Sequence, residues 1–242
     1  MNEEQGVIYL DEVEDKRVVL LQSGGLDSNV LASLFKDCGF EMHHIFVDYG
    51  QNMKEKELEY ARKIAEYYGG TLSEVKLELP WLKETTCLVD NVVNDSGAFD
   101  SLNAIEHGTY VPLRNQMLLS IAGSYAEAYQ IPFIACAFDG DEDENGNPTG
   151  GTTDKHPKYV QAVADSLNEG SAYKHVHGKE FTILTPVMGM YKEEIIALGV
   201  ECNADFSISW SCYNKGEEPC HVCSACELRH EAFKNMGIED NH

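Results

Sequence analysis

Apolar residues along this chain alternate between short continuous runs and longer stretches of helical period. Arg17-Val18-Val19-Leu20-Leu21 is a continuous run, which predicts a buried strand. A Gly-Gly turn follows, and Asp27-Ser28 opens a helix with Val30, Leu31, Leu34 and Phe35 on its inner face, ended by Gly39. Residues 42–47 read as the next strand. Residues 53–68 read as a charged helix with Leu58, Ala61, Ile64 and Ala65 on one side, closed by Gly69-Gly70. Residues 71–77 form a third strand. Alternation of strand and helix predicts an α/β fold, a parallel twisted sheet with helices on both faces.

Periodicity is weaker over 81–110. Beyond it the pattern predicts a helix over 113–129, a strand over 132–137, a Gly- and acid-rich loop over 139–154 and a helix over 157–167. A short strand over 181–184, a helix over 191–198 ending at Gly199, and a last helix over 227–236 complete the chain. There is no internal repeat and no long linker. The expected division is an acidic N-terminal segment (1–16), an α/β domain (17–200) and a small cysteine-bearing C-terminal segment (201–242).

Composition narrows the function. Apolar residues are 43% of 242, enough for a substantial core, and no run reaches the length of a membrane span. Met1-Asn2-Glu3-Glu4 has neither a basic nor an apolar leader region, which leads to the expectation of a cytoplasmic protein. A formal net charge of −23 repels phosphate backbones, and no Lys/Arg cluster occurs in sequence. Nucleic acid is therefore not the expected partner.

The segment Gln22-Ser23-Gly24-Gly25-Leu26-Asp27-Ser28 stands between a strand and a helix, where a phosphate site is built. The two glycines are expected to take positive φ and admit an anion to the backbone, and the helix turns its free N–H groups on the same point. Ser23 and Ser28 add hydroxyls. Asp27 either caps the helix or holds Mg²⁺. No Gly-Lys-Ser/Thr follows, so the turn is not of the Walker type.

Cys212, Cys220, Cys223 and Cys226 crowd together, whereas Cys38, Cys87, Cys136 and Cys202 are scattered among apolar neighbours and read as reduced, buried thiols. Two consecutive Cys-x-x-Cys steps place thiolates around one tetrahedral ion, with Cys212 closing the fourth corner. Four thiolates leave no open position, so a zinc ion held there is structural. An iron–sulfur cluster is the competing metal reading. His221 and His230, close by, are expected at the surface.

These residues carry a resemblance. Ser23 to Ser28 resembles the loop of the N-type ATP pyrophosphatases. Four further segments extend it to the 7-cyano-7-deazaguanine synthase family. They are Val47-Asp48-Tyr49-Gly50-Gln51, Tyr110-Val111-Pro112-Leu113-Arg114-Asn115, Thr185-Pro186-Val187 with Tyr191-Lys192-Glu193, and the cysteine run from Ser211 to Arg229. The resemblance spans roughly 17–236 and implies a Rossmann-like sheet of the adenine nucleotide α-hydrolase type. It implies that 22–28 grip ATP with Mg²⁺, that 47–51 line the adenine pocket, and that Asp27, Arg114 and Lys192 serve catalysis. An Arg in a helix's first turn opposes the dipole, so Arg114 is expected to face an anion. Asn115, Asp141 and Asp154 are the further substrate-binding expectations. The resemblance also implies a homodimer.

The implied reaction converts 7-carboxy-7-deazaguanine and ammonia to a nitrile through adenylated intermediates. Position 2 is Asn and no Gly-x-Cys-x-Gly elbow occurs, so free ammonia or a partner is expected to supply nitrogen. No general base stands out. The family's deazaguanine-binding stretch is altered here: Lys155 and His156 stand where it has Cys and Arg, about seven residues are inserted, and His221 replaces a usual Gly. Asp141-x-Asp143-x-Asn145-Gly146 resembles half a calcium loop, but its twelfth position is Thr152, so a solvated loop is expected. The rival readings are a related ATP pyrophosphatase acting on another base, nucleic acid or protein, and a non-catalytic nucleotide-binding module.

Overall fold

The computed structural model describes residues 10–89, 110–142, 148–150, 153–214 and 216–241. Most of the irregular 81–110 stretch, most of the calcium-like loop, and positions 1–9 lie outside the described residues.

Five parallel strands form the sheet. They are β1 (Arg17–Leu21), β2 (Glu41–Asp48), β3 (Thr71–Lys76), β4 (Phe133–Ala135) and β7 (Thr182–Leu184), in the order β3-β2-β1-β4-β7. The short β5 (Asp141–Glu142) and β6 (Pro148–Gly150) pair separately and antiparallel. The helices are α1 (Leu26–Asp37), α2 (Lys54–Tyr68), α3 (Leu82–Thr85), α4 (Arg114–Tyr129), α5 (Pro157–Gly170), α6 (Ala172–His177), α7 (Lys192–Glu201) and α8 (Ser224–Met236).

Period two sorts β1 onto two cores. Val19 and Leu21 pack with Ile45, Val47, Leu119, Ile134 and Val163 on one face, while Val18 and Leu20 pack with Leu31, Phe35, Met42 and Ile64 on the other. Val18, Val19 and Leu20 are fully buried, as a central parallel strand requires. Full burial of such a side chain is worth about 1.5–3 kcal/mol.

Strand order reverses between β1 and β4, so their carboxyl ends open a crevice where ligands bind in such sheets. The Gly24 turn follows β1 directly, and Asp139 follows β4.

The structure departs from the sequence pattern in instructive places. The helix expected to end at Gly199 continues to Glu201. Gly199 is there for contact: a Cβ would come within 2.8 Å of Phe206 and Val30. The last helix starts at Ser224 rather than Glu227, because Cys223 takes the extended N-cap position. The 132–137 strand shortens to Phe133–Ala135, and Leu34 is only partly buried.

Candidate active site

Only one of the two turn glycines has positive φ. Gly24 lies at φ +77°, and a Cβ there would stand 2.3 Å from the Glu57 carbonyl oxygen in α2. Gly25 is extended, at φ −80°, as the N-cap of α1. The reversal is completed in one residue, so the second glycine is free to enter the helix.

The turn is braced by its own side chains. Gln22, 2% exposed, accepts from the Gly24 amide at 2.9 Å and donates to the Ser28 carbonyl at 3.3 Å. Ser23 Oγ accepts from the Gly25 amide at 3.2 Å and lies 3.1 Å from Ser28 Oγ. Asp27, in the first turn of α1, accepts from Lys192 Nζ at 2.6 and 2.7 Å. Lys192 opens α7, so the ion pair ties together segments 165 residues apart.

The segment after β2 folds on itself. Asp48 accepts from the Gly50 amide at 2.9 Å, and Gln51 accepts from the Tyr49 amide at 2.9 Å. Gln51 also donates to the Val47 carbonyl at 3.1 Å and to Glu57 Oε2 at 2.9 Å. A cavity of about 970 Å³ opens beside it, lined by Asp48, Tyr49, Gly50, Gln51, Lys54 and Val89; the phosphate turn does not line it.

Arg114 and Asn115 occupy the first turn of α4. Arg114 donates to Tyr49 Oη at 3.4 Å and to Asn115 Oδ1 at 3.3 Å. Asn115 donates to the Asp154 carbonyl at 3.2 Å, which brings the altered loop against the helix. Asp154 itself is buried. Asp141 lies in β5, and its side chain is outside the described residues.

Four groups at the site escaped the sequence reading. Asp139 accepts from Lys155 Nζ at 2.6 Å. Burial would raise its pKa, but Lys155 and Lys192 overcome that and hold it at about 2. Burial pushes Tyr213 up to about 12, with Arg114 and Lys192 opposing and Asp139 adding to the shift. Burial likewise pushes Glu57 up to about 7, against the Gln51 hydrogen bond and the Arg114 charge and with Asp48 reinforcing it. Lys155, noted in sequence only as a departure, is the fourth. Arg114, Lys155 and Lys192 thus gather around shared neighbours in a chain of net charge −23. Three cations from three segments leave no cluster in sequence.

The cysteine cluster adjoins the turn. The four sulfurs of Cys212, Cys220, Cys223 and Cys226 all lie within 4.8 Å of one another, and none is in a disulfide. Backbone amides of Asn214 and Cys220 each donate to Cys212 Sγ at 3.3 Å, and that of Tyr213 to Cys223 Sγ at 3.5 Å. Amides aimed at sulfur suit thiolates rather than thiols, so the donor set fits a cation. Trp210 joins the regions: its amide donates to the Gly24 carbonyl at 2.8 Å and its indole to the Cys212 carbonyl at 2.9 Å. Arg229 is buried and anchored on Asp240, Ser209 and the Phe206 carbonyl. His221 is exposed at φ +57°, a conformation natural to the glycine usual there.

A parallel sheet with a glycine turn at its switch point defines a Rossmann-like α/β protein, here with a metal-competent four-cysteine cluster. The model of the queuosine biosynthesis protein QueC family matches residues 17–237, and the chain belongs to that family. A 7-cyano-7-deazaguanine synthase of Methanosphaerula palustris is 34% identical over 226 residues, 93% of this chain and 97% of the relative. That of Acetivibrio thermocellus is 36% identical over 225 residues, 93% and 96% of the two chains. Among solved structures, a 4-thiouridine synthetase–RNA complex with bound ATP is distantly similar, at TM-score 0.47 and 15% identity, covering 92% of this chain and 50% of that one. Among the described residues no helix is long and apolar enough to cross a membrane.

Proposed function

We propose that this protein converts 7-carboxy-7-deazaguanine and ammonia to 7-cyano-7-deazaguanine at the expense of ATP, as a ligase forming carbon–nitrogen bonds. The observation that carries the reading is the meeting of Asp27, Lys192, Asp139 and Arg114, from four separated segments, beside a braced glycine turn. The family's relatives are named for the same product.

A carboxylate oxygen is a poor leaving group and AMP a good one. The substrate carboxylate attacks the α-phosphorus, pyrophosphate leaves, and ammonia displaces AMP to give the amide. A second ATP activates the amide oxygen, and loss of AMP leaves the nitrile. The amides of residues 24–28 receive the leaving phosphates, and Lys192 neutralises their charge. Asp27 would hold Mg²⁺, whose chemistry is charge neutralisation on the phosphates. Arg114, whose guanidinium is desolvated, and Asn115 position the substrate, with Asp154 on its guanidine-like edge. Segment 47–51 receives the adenine. The four cysteines would hold a structural Zn²⁺. Residues 17–200 form the catalytic domain and 201–242 the metal-bound segment, in a cytoplasmic homodimer using free or partner-supplied ammonia.

Incubation with ATP, Mg²⁺, ammonium and the acid, read by pyrophosphate release and product mass, tests the reading. The expected result is the nitrile with AMP and pyrophosphate. ADP with orthophosphate, or AMP formed only with transfer RNA, would overturn it.

A further inference from the structure

Making a nitrile from an amide requires nitrogen to lose both its protons. Once the amide oxygen has displaced pyrophosphate from ATP, the adduct is R–C(=NH₂⁺)–O–AMP. One N–H proton leaves to give the neutral imidate. As the second N–H bond breaks, its electron pair becomes the new C–N π bond, and the C–O bond breaks with its pair going to AMP. A group that can accept a proton near neutral pH must stand close to the reacting carbon.

Glu57 has the surroundings for this. It sits in the first turns of α2, and its own backbone packs on Gly24 of the phosphate turn. Its carboxylate is held at 2.9 Å by Gln51, which is itself fixed to the Tyr49 amide and the Val47 carbonyl. The charged and titratable groups facing it are Arg114, Asp48 and Tyr49. It is partly open to solvent and, among the described residues, bonded to no cation, whereas Asp27 and Asp139 are both engaged by lysines. A carboxylate held by a lysine is a weak base; one held by an amide stays basic.

We propose that Glu57 is the catalytic base of the amide-to-nitrile step, accepting the proton lost as AMP departs. The assignment rests on the reaction proposed above. Its pKa, raised by burial to about 7, suits proton transfer at neutral pH. Arg114, which donates to Tyr49 Oη, would keep the adduct oriented while the proton moves.

The test starts from the amide, so that ammonium titration does not intrude. Nitrile formation from 7-amido-7-deazaguanine and ATP is followed from pH 5.5 to 9 for wild type, E57Q and E57D, alongside pyrophosphate release driven by the carboxylate. Gln keeps the acceptor for Gln51 and removes the base. The expected result for E57Q is a loss of nitrile formation of about 100-fold or more, disappearance of the acidic limb, a far smaller fall with the carboxylate, and accumulation of amide. E57D should recover part of the rate with a displaced limb, and decides the matter if E57Q does not melt cooperatively. An acidic limb retained in E57Q, or equal losses in both half-reactions for both variants, would overturn the assignment alone. Wild-type protein that turns over neither acid nor amide would overturn the proposed function and the assignment with it.

Discussion

The phosphate turn and the cysteine cluster are joined through one tryptophan, yet they are held by different forces. Around Gly24 the bracing side-chain bonds are between neutral groups within seven residues of chain, Gln22, Ser23 and Ser28 closing on their own backbone. That turn is complete without a ligand. Around Cys212 the amides converge on four sulfurs that all lie within 4.8 Å of one another. Thiolates so close repel, and only a cation makes their approach favourable. One region is preorganised by its sequence neighbours and the other is arranged to take an ion, with Trp210 carrying the second to the first.

Removing the ion should have the largest effect. Prolonged chelation, or Cys223→Ser, is expected to lower Tm by about 10 °C or more and to weaken ATP binding measured by calorimetry. Full ATP affinity after complete metal loss would make the two regions independent. Gly24→Ala comes next. Positive φ and the Glu57 carbonyl at 2.3 Å oppose any Cβ. A destabilisation of about 1–3 kcal/mol with loss of pyrophosphate release is expected. Gly25→Ala, extended and with only Ser23 Oγ at 3.1 Å, should melt closer to wild type. Equal melting of the two variants would contradict the asymmetry of the turn.

Glu57 gives a pH signature of intermediate size. Its carboxyl holds a proton to about pH 7 in the native state, above the ordinary value of 4.5. The native state binds more protons across that window, so stability present below about pH 4.5 is lost as pH rises through 7. E57Q should therefore raise Tm relative to wild type at pH 8, by about 1–2 kcal/mol of stability, and match it at pH 5. A difference independent of pH would point to packing instead. The smallest change is expected beside the cluster. His221→Gly relieves a left-handed residue at φ +57° and should add about 1 kcal/mol, a rise in Tm of about 2–4 °C.

Some of the site was legible because its parts are local. Ser23 to Ser28 and Cys212 to Cys226 meet their partners within a few residues, so spacing alone announced them. The charged cleft was not. Lys155 reaches Asp139, and Lys192 reaches Asp27 across 165 residues; spacing carries no sign of either. Asp141 drew attention as the acid of the altered stretch, while Asp139, two residues earlier, is the one bound to Lys155. The strand-end position of Asp139 was the available signal, since side chains just past a parallel strand face the crevice. Glu57 was hidden in a charged helical face, and only its neighbours distinguish it from Glu55 and Glu59.

What the sequence determined by itself was the alternation of strand and helix, the braced turn and the four-sulfur cluster, because periodicity, glycine sterics and ligand spacing act over short stretches of chain. Tertiary structure alone decided which strands became neighbours, which carboxylates met lysines and which stayed basic. Those outcomes depend on burial and on charges brought together from distant segments, and a carboxylate has no fixed character until its surroundings are set.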